Sequence, residues 1–432
     1  MQIEPATRTP VSFRLALVLG LIFFGVNVTE ACSVNLLPLT LNLFTENPMY
    51  IFLILAINPA FGIIAQPLVG AVSDRVWTRF GRRAFFLIIC APVVAACLIL
   101  IPHVGSLLQL VMVVIVLQFF QDLLNGCDQP LIADMVPPQQ RTFMLGLVKT
   151  FENLAFFFVL YIGMQMVKGY RETHGDTNYG LPMYYTAAAC QILFVMVAAF
   201  FVGEKRIERQ PRPRLTPRQY IVDFVHQPML FRIALAYMMR AFARTAVVGS
   251  AALYATRTLL LDEKQLGNSW GMFPFIALLL AIPLGLGAER FAKHRVLQLA
   301  FAAIVAGCVV GYFSSGAIGL AAAALVFGFG DMLLEVTHKA FMSDHYPADL
   351  IGQLAGAVNI FYAIGRTAAL VLVGFAVKWA NPTIDFEATD GSEFVDYHLI
   401  WVISGIAAII GIIILSTVDD HRHAAKTRTN ST

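Results

Sequence analysis

The chain has 432 residues and a formal net charge of +3, with 58% hydrophobic and only 13% charged residues and a mean hydropathy of +0.72. A typical soluble domain carries about 25% charged residues, so the composition excludes a water-soluble enzyme or a nucleic-acid-binding module and indicates an all-α integral membrane protein. The small net charge identifies no partner, because the position of charges matters more than their sum.

Apolar stretches long enough to cross about 30 Å of hydrocarbon predict twelve helices, at residues 13–43, 49–72, 84–101, 106–135, 142–167, 181–203, 228–258, 267–286, 296–314, 316–343, 351–378 and 397–417. The first run is too long for a signal peptide and lacks a small-residue cleavage site, so it reads as a retained helix. Cys32, Cys90, Cys97, Cys127, Cys190 and Cys308 all fall inside these spans. They read as small buried apolar residues, and no metal site or cofactor is expected. Most of the 30 Lys and Arg fall on the side of the loop after the second helix, which the positive-inside rule makes cytoplasmic. Both termini are expected on that side of the cell membrane. Residues 204–227 combine six Lys and Arg with Pro211, Pro213 and Pro217. They read as a cytoplasmic linker between an N-terminal six-helix bundle, 1–203, and a C-terminal bundle with a short tail, 228–432.

The loop after the second helix carries the most specific motif, Gly70-Ala-Val-Ser-Asp74-Arg75-Val-Trp-Thr-Arg79-Phe-Gly81-Arg82-Arg83. An offset of 210 residues repeats parts of the first half in the second. Asp134 before Pro137 falls on Asp344 before Pro347, Gly146 falls on Gly356, and the hinge recurs as Gly287-Ala-Glu289-Arg290. A transporter built from two parallel halves has this kind of internal repeat.

Gly-x-x-x-Asp-Arg followed by Arg-x-Gly-Arg-Arg resembles the loop between helices 2 and 3 of major facilitator transporters. The long spacer, with Gln66-Pro-Leu-Val ahead of it and Ala133-Asp134 near the end of helix 4, is similar to the sucrose-type and glycoside–pentoside–hexuronide cation symporters. The resemblance implies two pseudo-symmetric six-helix bundles and a cytoplasmic gate. Carried over by position, Gly70, Asp74, Arg75, Gly81, Arg82, Arg83 and Asp134 would form that gate, with Glu289 and Asp344 as second-half partners. The chain departs from plant sucrose carriers at Gln129, where they have arginine, and at Gln118, where they have aspartate. It also lacks the helix-2 aspartates of the melibiose branch, which argues against sodium coupling.

Ionisable groups near the bilayer centre are costly unless paired or facing a wet cavity, so they mark function. Here they are Glu30, Asp122, Glu152, Asp331 and Glu335, with Lys149, Arg240, Arg244, Lys339 and Arg366. Gln118, Gln121, Asp122, Asn125, Asp128 and Gln129 recur at three- and four-residue steps as one polar stripe of helix 4, which cannot face lipid. The 331/335/339 spacing predicts pairing of both acids with Lys339 along helix 10. A proton-coupling acid needs an environment that changes with the cavity, burial opposing ionisation and an arginine favouring it. Glu30 or Asp122, paired with Arg240 or Arg244, would meet that need; a static salt bridge is the alternative for each. Sugar binding would draw hydrogen bonds from Asn27, Asn58, Gln121, Asn125, Asp128, Gln129, Arg240, Arg244 and Asn359. Phe151, Tyr237, Trp270, Phe361 or Tyr362 would supply an aromatic face.

The expected activity is proton-coupled symport of a di- or oligosaccharide by a monomer, with the bilayer as environment and no nucleic-acid partner. Transport of a uronide or other carboxylate is the alternative suggested by the arginines. A non-transporting sensor or assembly factor on a carrier fold is the third. No phosphate loop, His-Glu-x-x-His or Gly-x-Ser-x-Gly appears in a suitable context, so no enzyme is expected.

Overall fold

The computed structural model describes residues 12–73, 77–137, 140–204, 228–288, 291–345, 351–386 and 394–418, apart from a few side chains within them. Among these residues the backbone is helical apart from loops and one isolated bridge between Thr78 and Gly81.

Twelve helical runs follow one another. They are α1 (Phe13–Asn42), α2 (Pro48–Leu55 continued by Ile57–Ser73), α3 (Ala84–Leu100), α4 (Leu107–Met135), α5 (Arg141–Phe157, continued to His174) and α6 (Leu181–Cys190, continued to Val197). After residue 227 come α7 (Pro228–Val248, continued to Thr258), α8 (Glu263–Trp270 and Met272–Ala288), α9 (Lys293–Tyr312), α10 (Ala317–His345), α11 (Ile351–Ala380) and α12 (Leu399–Ser416). Each predicted span is found, with ends displaced by a few residues. Nine helices among the described residues are long and apolar enough to cross a bilayer. Only helices satisfy every backbone polar group within one segment there, which is why such runs of Val, Ile, Leu and Phe fold this way.

The chain-order neighbours reverse direction, so α1 runs from the face of the Arg82 hinge to the opposite face, called here the far face. Helix starts are marked locally. The Ser12 hydroxyl accepts from Leu15 N at α1, and Asn47 accepts from Met49 N ahead of Pro48 at α2. Three wide π-turns, Phe158–Gly163, Gln191–Val197 and Tyr254–Thr258, interrupt α5, α6 and α7.

Within the first six helices α1 packs on α5 and α6, and α4 packs on α2 and α3; within the last six, α7 packs on α11 and α12, and α9 on α10 and α12. The two sets meet through α2 against α11 and α5 against α8. Lipid tails give no hydrophobic push between helices, so close packing relies on small residues and buried hydrogen bonds. A Cβ on Gly307 of α9 would lie 2.7 Å from the backbone of Phe327 on α10. Thr29 donates to Gln191 across α1 and α6 at 3.1 Å, and Thr40 pairs with Tyr184 at 2.8 Å. All six cysteines are buried and unbridged.

Candidate functional site

Three polar layers stack along the molecule. At the hinge face, Gly81 has φ +107°, a left-handed conformation that favours glycine, and it turns the chain so that Arg82 and Arg83 point at α4. Arg82 Nη2 and Arg83 Nε both donate to Asp134 Oδ2 at 2.6 Å. The Arg82 and Arg83 backbone N–H groups donate to the Glu204 carboxylate, from Arg83 at 3.1 and 3.2 Å. Gly81, Arg82, Arg83 and Asp134 therefore meet in one buried cluster, with Glu204 as a member that the motif did not announce. Glu204 lies just past α6, and only the folded chain brings it under the hinge. Of the other expected gate residues, Asp74, Arg75 and Glu289 lie outside the described residues, as do the surroundings of Gly70 and the side chain of Asp344.

At mid-depth there are two networks. In the first, Arg366 on α11 donates from Nη2 to Glu30 Oε1 on α1 at 3.2 Å and to Asn58 Oδ1 on α2 at 3.1 Å. Asn58 Nδ2 donates to Gln118 Oε1 on α4 at 2.6 Å and to Glu30 Oε2 at 3.4 Å. Four helices from both sets are tied by this one arrangement. It borders a cavity of about 40 Å³ lined by Ser33, Asn58, Gln118, Arg244, Thr245 and Arg366 among others. That is room for a few waters rather than a disaccharide in this conformation.

In the second, α7 presents Arg240 and Arg244 one turn apart, and α10, running the opposite way, presents Asp331 and Glu335 one turn apart. Arg240 reaches Asp331 at 3.0 Å and Glu335 at 2.5 Å, and Arg244 reaches Asp331 at 3.0 Å. Lys149 on α5 binds Glu152 at 2.7 Å and lies 3.8 Å from Glu335. One correction follows. Glu30 pairs with Arg366, not with Arg240 or Arg244. Asp331 and Glu335 reach across to α7 and α5, because the four-residue spacing that aligns them also aligns the two guanidiniums opposite; the side chain of Lys339, their expected partner along α10, lies outside the described residues.

His338, one turn beyond Glu335, was not singled out by the sequence. It is fully buried, with Nε2 3.2 Å from the Ile233 carbonyl and its ring against Tyr237 at 4.7 Å. Its signal in the sequence was its place on the 331/335 face of an apolar helix. Tyr237 also stacks on Tyr362 at 4.8 Å. Trp270 is buried and stacked on Phe273 at 5.5 Å, so it is core rather than an open aromatic platform.

The remaining expected binders divide by what they already hold. Gln121 is buried and donates to the Val26 carbonyl at 3.0 Å, tying α4 to α1, and Asn27 donates to its own helix at the Phe23 carbonyl, 2.8 Å. Asp122 is buried on α4, Asn125 is half-buried one turn on, and Asn359 is exposed on α11. The side chains of Asp128, Gln129 and Lys339 lie outside the described residues.

At the far face the two sets of helices are bridged again. Arg257 at the end of α7 meets Glu46 after α1 at 3.2 Å, both nearly buried. Lys168 on α5 meets Asp262 at 2.7 Å, and Glu263 accepts from Arg171 at 2.7 Å and from Tyr179 at 3.1 Å. Asp262 caps α8 through a reciprocal pair of bonds with Gln265. Partial burial disfavours ionised Asp262, but the hydrogen bond from Lys168, those from the Gln265 and Lys264 backbone and the Lys168 charge outweigh it and hold the carboxyl below its ordinary value. These bridges join the two sets of helices at the far face.

A family model described as Major Facilitator Superfamily matches residues 15–370 and 233–431. The chain belongs to that superfamily. The human proton-associated sugar transporter A is 38% identical to this transporter over 81 residues, which is 18% of this chain and 11% of that protein. Mouse solute carrier family 45 member 3 is 32% identical over 91 residues, 21% of this chain and 16% of that protein. The chain thus matches less than a fifth of the length of either relative. Crystal structures of the nucleoside transporter NupG superpose with a TM-score of 0.70 at 13% identity, covering 94% of this chain and 98% of the other. A bacterial homolog of the human lysosomal transporter Spinster, inward-facing and occupied, gives 0.66 at 13% identity over 94% and 95% of the two chains. At that identity the likeness is one of fold alone. The transporter is a multi-pass membrane protein and not an enzyme.

Proposed function

We propose that the protein is a proton-coupled symporter of a neutral glycoside, a di- or oligosaccharide, working by rocking of bundles 1–203 and 228–432 about the 204–227 linker. It acts as a monomer in the cell membrane, with both termini cytoplasmic. The observation that carries the reading is Glu30. It is a partly exposed carboxylate at mid-depth, beside a polar cavity, held by an arginine from the opposite set of helices. An acid whose only charged partner among the described residues comes from the other half changes its surroundings whenever the halves rock, and that is the requirement for loading and releasing a proton. Asp122, buried on α4, is the second candidate for the proton.

The substrate class follows from charge. Arg240, Arg244 and Arg366 each lie against Asp331, Glu335 or Glu30. Guanidiniums already neutralised favour a substrate rich in hydroxyls over a carboxylate. The similarity to a protein named proton-associated sugar transporter A supports the same reading.

The test is uptake into liposomes holding the purified protein, under an inward proton gradient, across sucrose, maltose, methyl β-glucoside and methyl β-glucuronide. Accumulation of a neutral sugar that a protonophore collapses is expected. Glu30→Gln should keep counterflow exchange but lose gradient-driven accumulation, or Asp122→Asn should. If both variants accumulate sugar as the wild type does, neither acid carries the proton. Uptake of the glucuronide alone would overturn the neutral-substrate reading.

A further inference from the structure

At the hinge face, the start of α1, the hinge loop and the chain just past α6 carry two arginines that the charge clusters above do not use. Arg82 and Arg83 are committed to Asp134 at 2.6 Å. Arg14 at the start of α1 and Arg79 in the hinge are both exposed, and neither has an acidic partner among the described residues. Each lies over an aromatic ring instead, Arg14 with Cζ 5.8 Å from the centre of Phe201 and Arg79 with Cζ 4.5 Å from the centre of Phe80. These rings belong to one ridge, because Phe80 meets Phe200 edge to face at 5.3 Å and Phe201 follows Phe200 in the chain. Leu17, one turn into α1, is exposed, as are Phe200 and Phe201. The guanidiniums thus border an apolar face turned to lipid.

We infer that this ridge binds an anionic phospholipid of the adjoining leaflet, with its phosphate between Arg14 and Arg79 and its acyl chains along the exposed apolar side chains of α1 and the end of α6. The inference does not depend on which substrate is transported.

A guanidinium presents two parallel N–H donors to the oxygens of one phosphate, a geometry that lysine cannot reproduce. A ring under the guanidinium holds the cation without neutralising it and leaves the N–H edge open to a ligand. Aromatic side chains settle at the level of the headgroups, and Trp77, two residues before Arg79 and exposed, adds to the set at this face. Basic residues at that depth are drawn to anionic lipid. Charge also selects among phospholipids. Two guanidiniums around one phosphate repel the choline or ammonium of a zwitterionic headgroup, whereas a glycerol headgroup brings no opposing charge. The bound lipid joins the start of α1, the hinge and the chain just past α6, beside Glu204, which accepts from the Arg83 backbone at 3.1 Å. It therefore braces the turn at Gly81 from its lipid side.

The test is native mass spectrometry of the delipidated full chain in detergent, titrated with dioleoyl phosphatidylglycerol or dioleoyl phosphatidylcholine. Wild type should bind phosphatidylglycerol at least about tenfold more tightly, since each of two basic residues at an anionic headgroup adds about fivefold. Arg14→Gln and Arg79→Gln should each weaken phosphatidylglycerol by about fivefold. Phe201→Leu keeps every charge and should still weaken it by about two- to fivefold, because Arg14 loses the ring that holds it. Arg295→Gln removes another exposed arginine on the same face, at the start of α9, and should bind as wild type does. Thermal unfolding without lipid checks the fold of each variant. Arg14→Lys and Arg79→Lys keep the charge but lose the fork; they should also bind more weakly, and they replace any glutamine variant that does not fold. Equal affinity of wild type for the two lipids overturns the inference. So does a loss in Arg295→Gln as large as in Arg14→Gln and Arg79→Gln, which would mean diffuse attraction rather than a site. If glycerol 3-phosphate displaces phosphatidylglycerol at comparable concentration, the ligand is a soluble phosphate and the lipid assignment fails.

Discussion

Glu46→Gln should loosen the far face more than any other single change there. The Glu46 and Arg257 side chains are only 9% and 12% exposed and meet at 3.2 Å between the end of α1 and the end of α7, one from each set of helices. The glutamine keeps the shape and an acceptor but removes the charge. A hydrogen bond to a charged group contributes about 1.5–3 kcal/mol when buried, so losing its ionic part costs the closed state about 2 kcal/mol. Since 1.4 kcal/mol is about a factor of ten, the ratio of far-face-closed to far-face-open molecules should fall by about thirty-fold. Glu263→Gln is the internal comparison. Its partner Arg171 is 45% exposed, water screens the pair, and the expected shift is under about 1 kcal/mol, less than fivefold. Spin labels at Thr177→Cys and Leu260→Cys, both exposed on far-face loops of opposite sets, would report the opening as a longer distance by double electron–electron resonance. The native cysteines are all buried, which keeps background labelling low. Equal distance distributions in wild type and Glu46→Gln, or a larger shift in Glu263→Gln, would refute the argument from burial.

Three further outcomes are expected. Gly81→Ala places a β-carbon 2.7 Å from Glu204 Cβ at a φ of +107°, so it should cost about 1–3 kcal/mol and lower the thermal unfolding midpoint in detergent; a midpoint equal to wild type would contradict the conformation. Arg240→Gln leaves Glu335 without its 2.5 Å partner and should lose about 3–5 kcal/mol, while Arg240→Met combined with Glu335→Met should recover much of that in the same unfolding assay, since it removes the carboxylate along with its partner and leaves Asp331 paired with Arg244. Asp262 is held below its ordinary value of 3.8, so its stabilising contribution is complete above that pH and is lost only as pH falls below it. The Thr177/Leu260 label distance in an Asp262→Asn protein should therefore differ from wild type at pH 7 and converge with it only below about pH 4; convergence at pH 6 would exclude the Lys168–Asp262 bridge as the cause.

The helices and their number were readable from the sequence because each lies in a run whose hydrophobicity is set residue by residue, and a bilayer leaves the backbone no other structure. The hinge was readable for a related reason. Gly81, Arg82 and Arg83 are adjacent, and their short-range turn aims both arginines at one place. The four-residue spacings of Arg240 with Arg244 and of Asp331 with Glu335 could be seen as two faces, but a sequence does not say which face meets which. Along one helix the spacing points the acids at Lys339; only the antiparallel packing of α7 on α10 brings the guanidiniums of Arg240 and Arg244 against them. The same limit hid Arg366 as the partner of Glu30, 336 residues away. Glu204 beneath the hinge and Glu46 against Arg257 were hidden in the same way. The sequence by itself determined how many spans there are, where they begin and which residues are too polar for lipid. Partner choice belonged to the tertiary structure, because a charge inside a membrane protein takes the nearest opposite charge in space, and nearness across helices is not encoded in spacing along one of them.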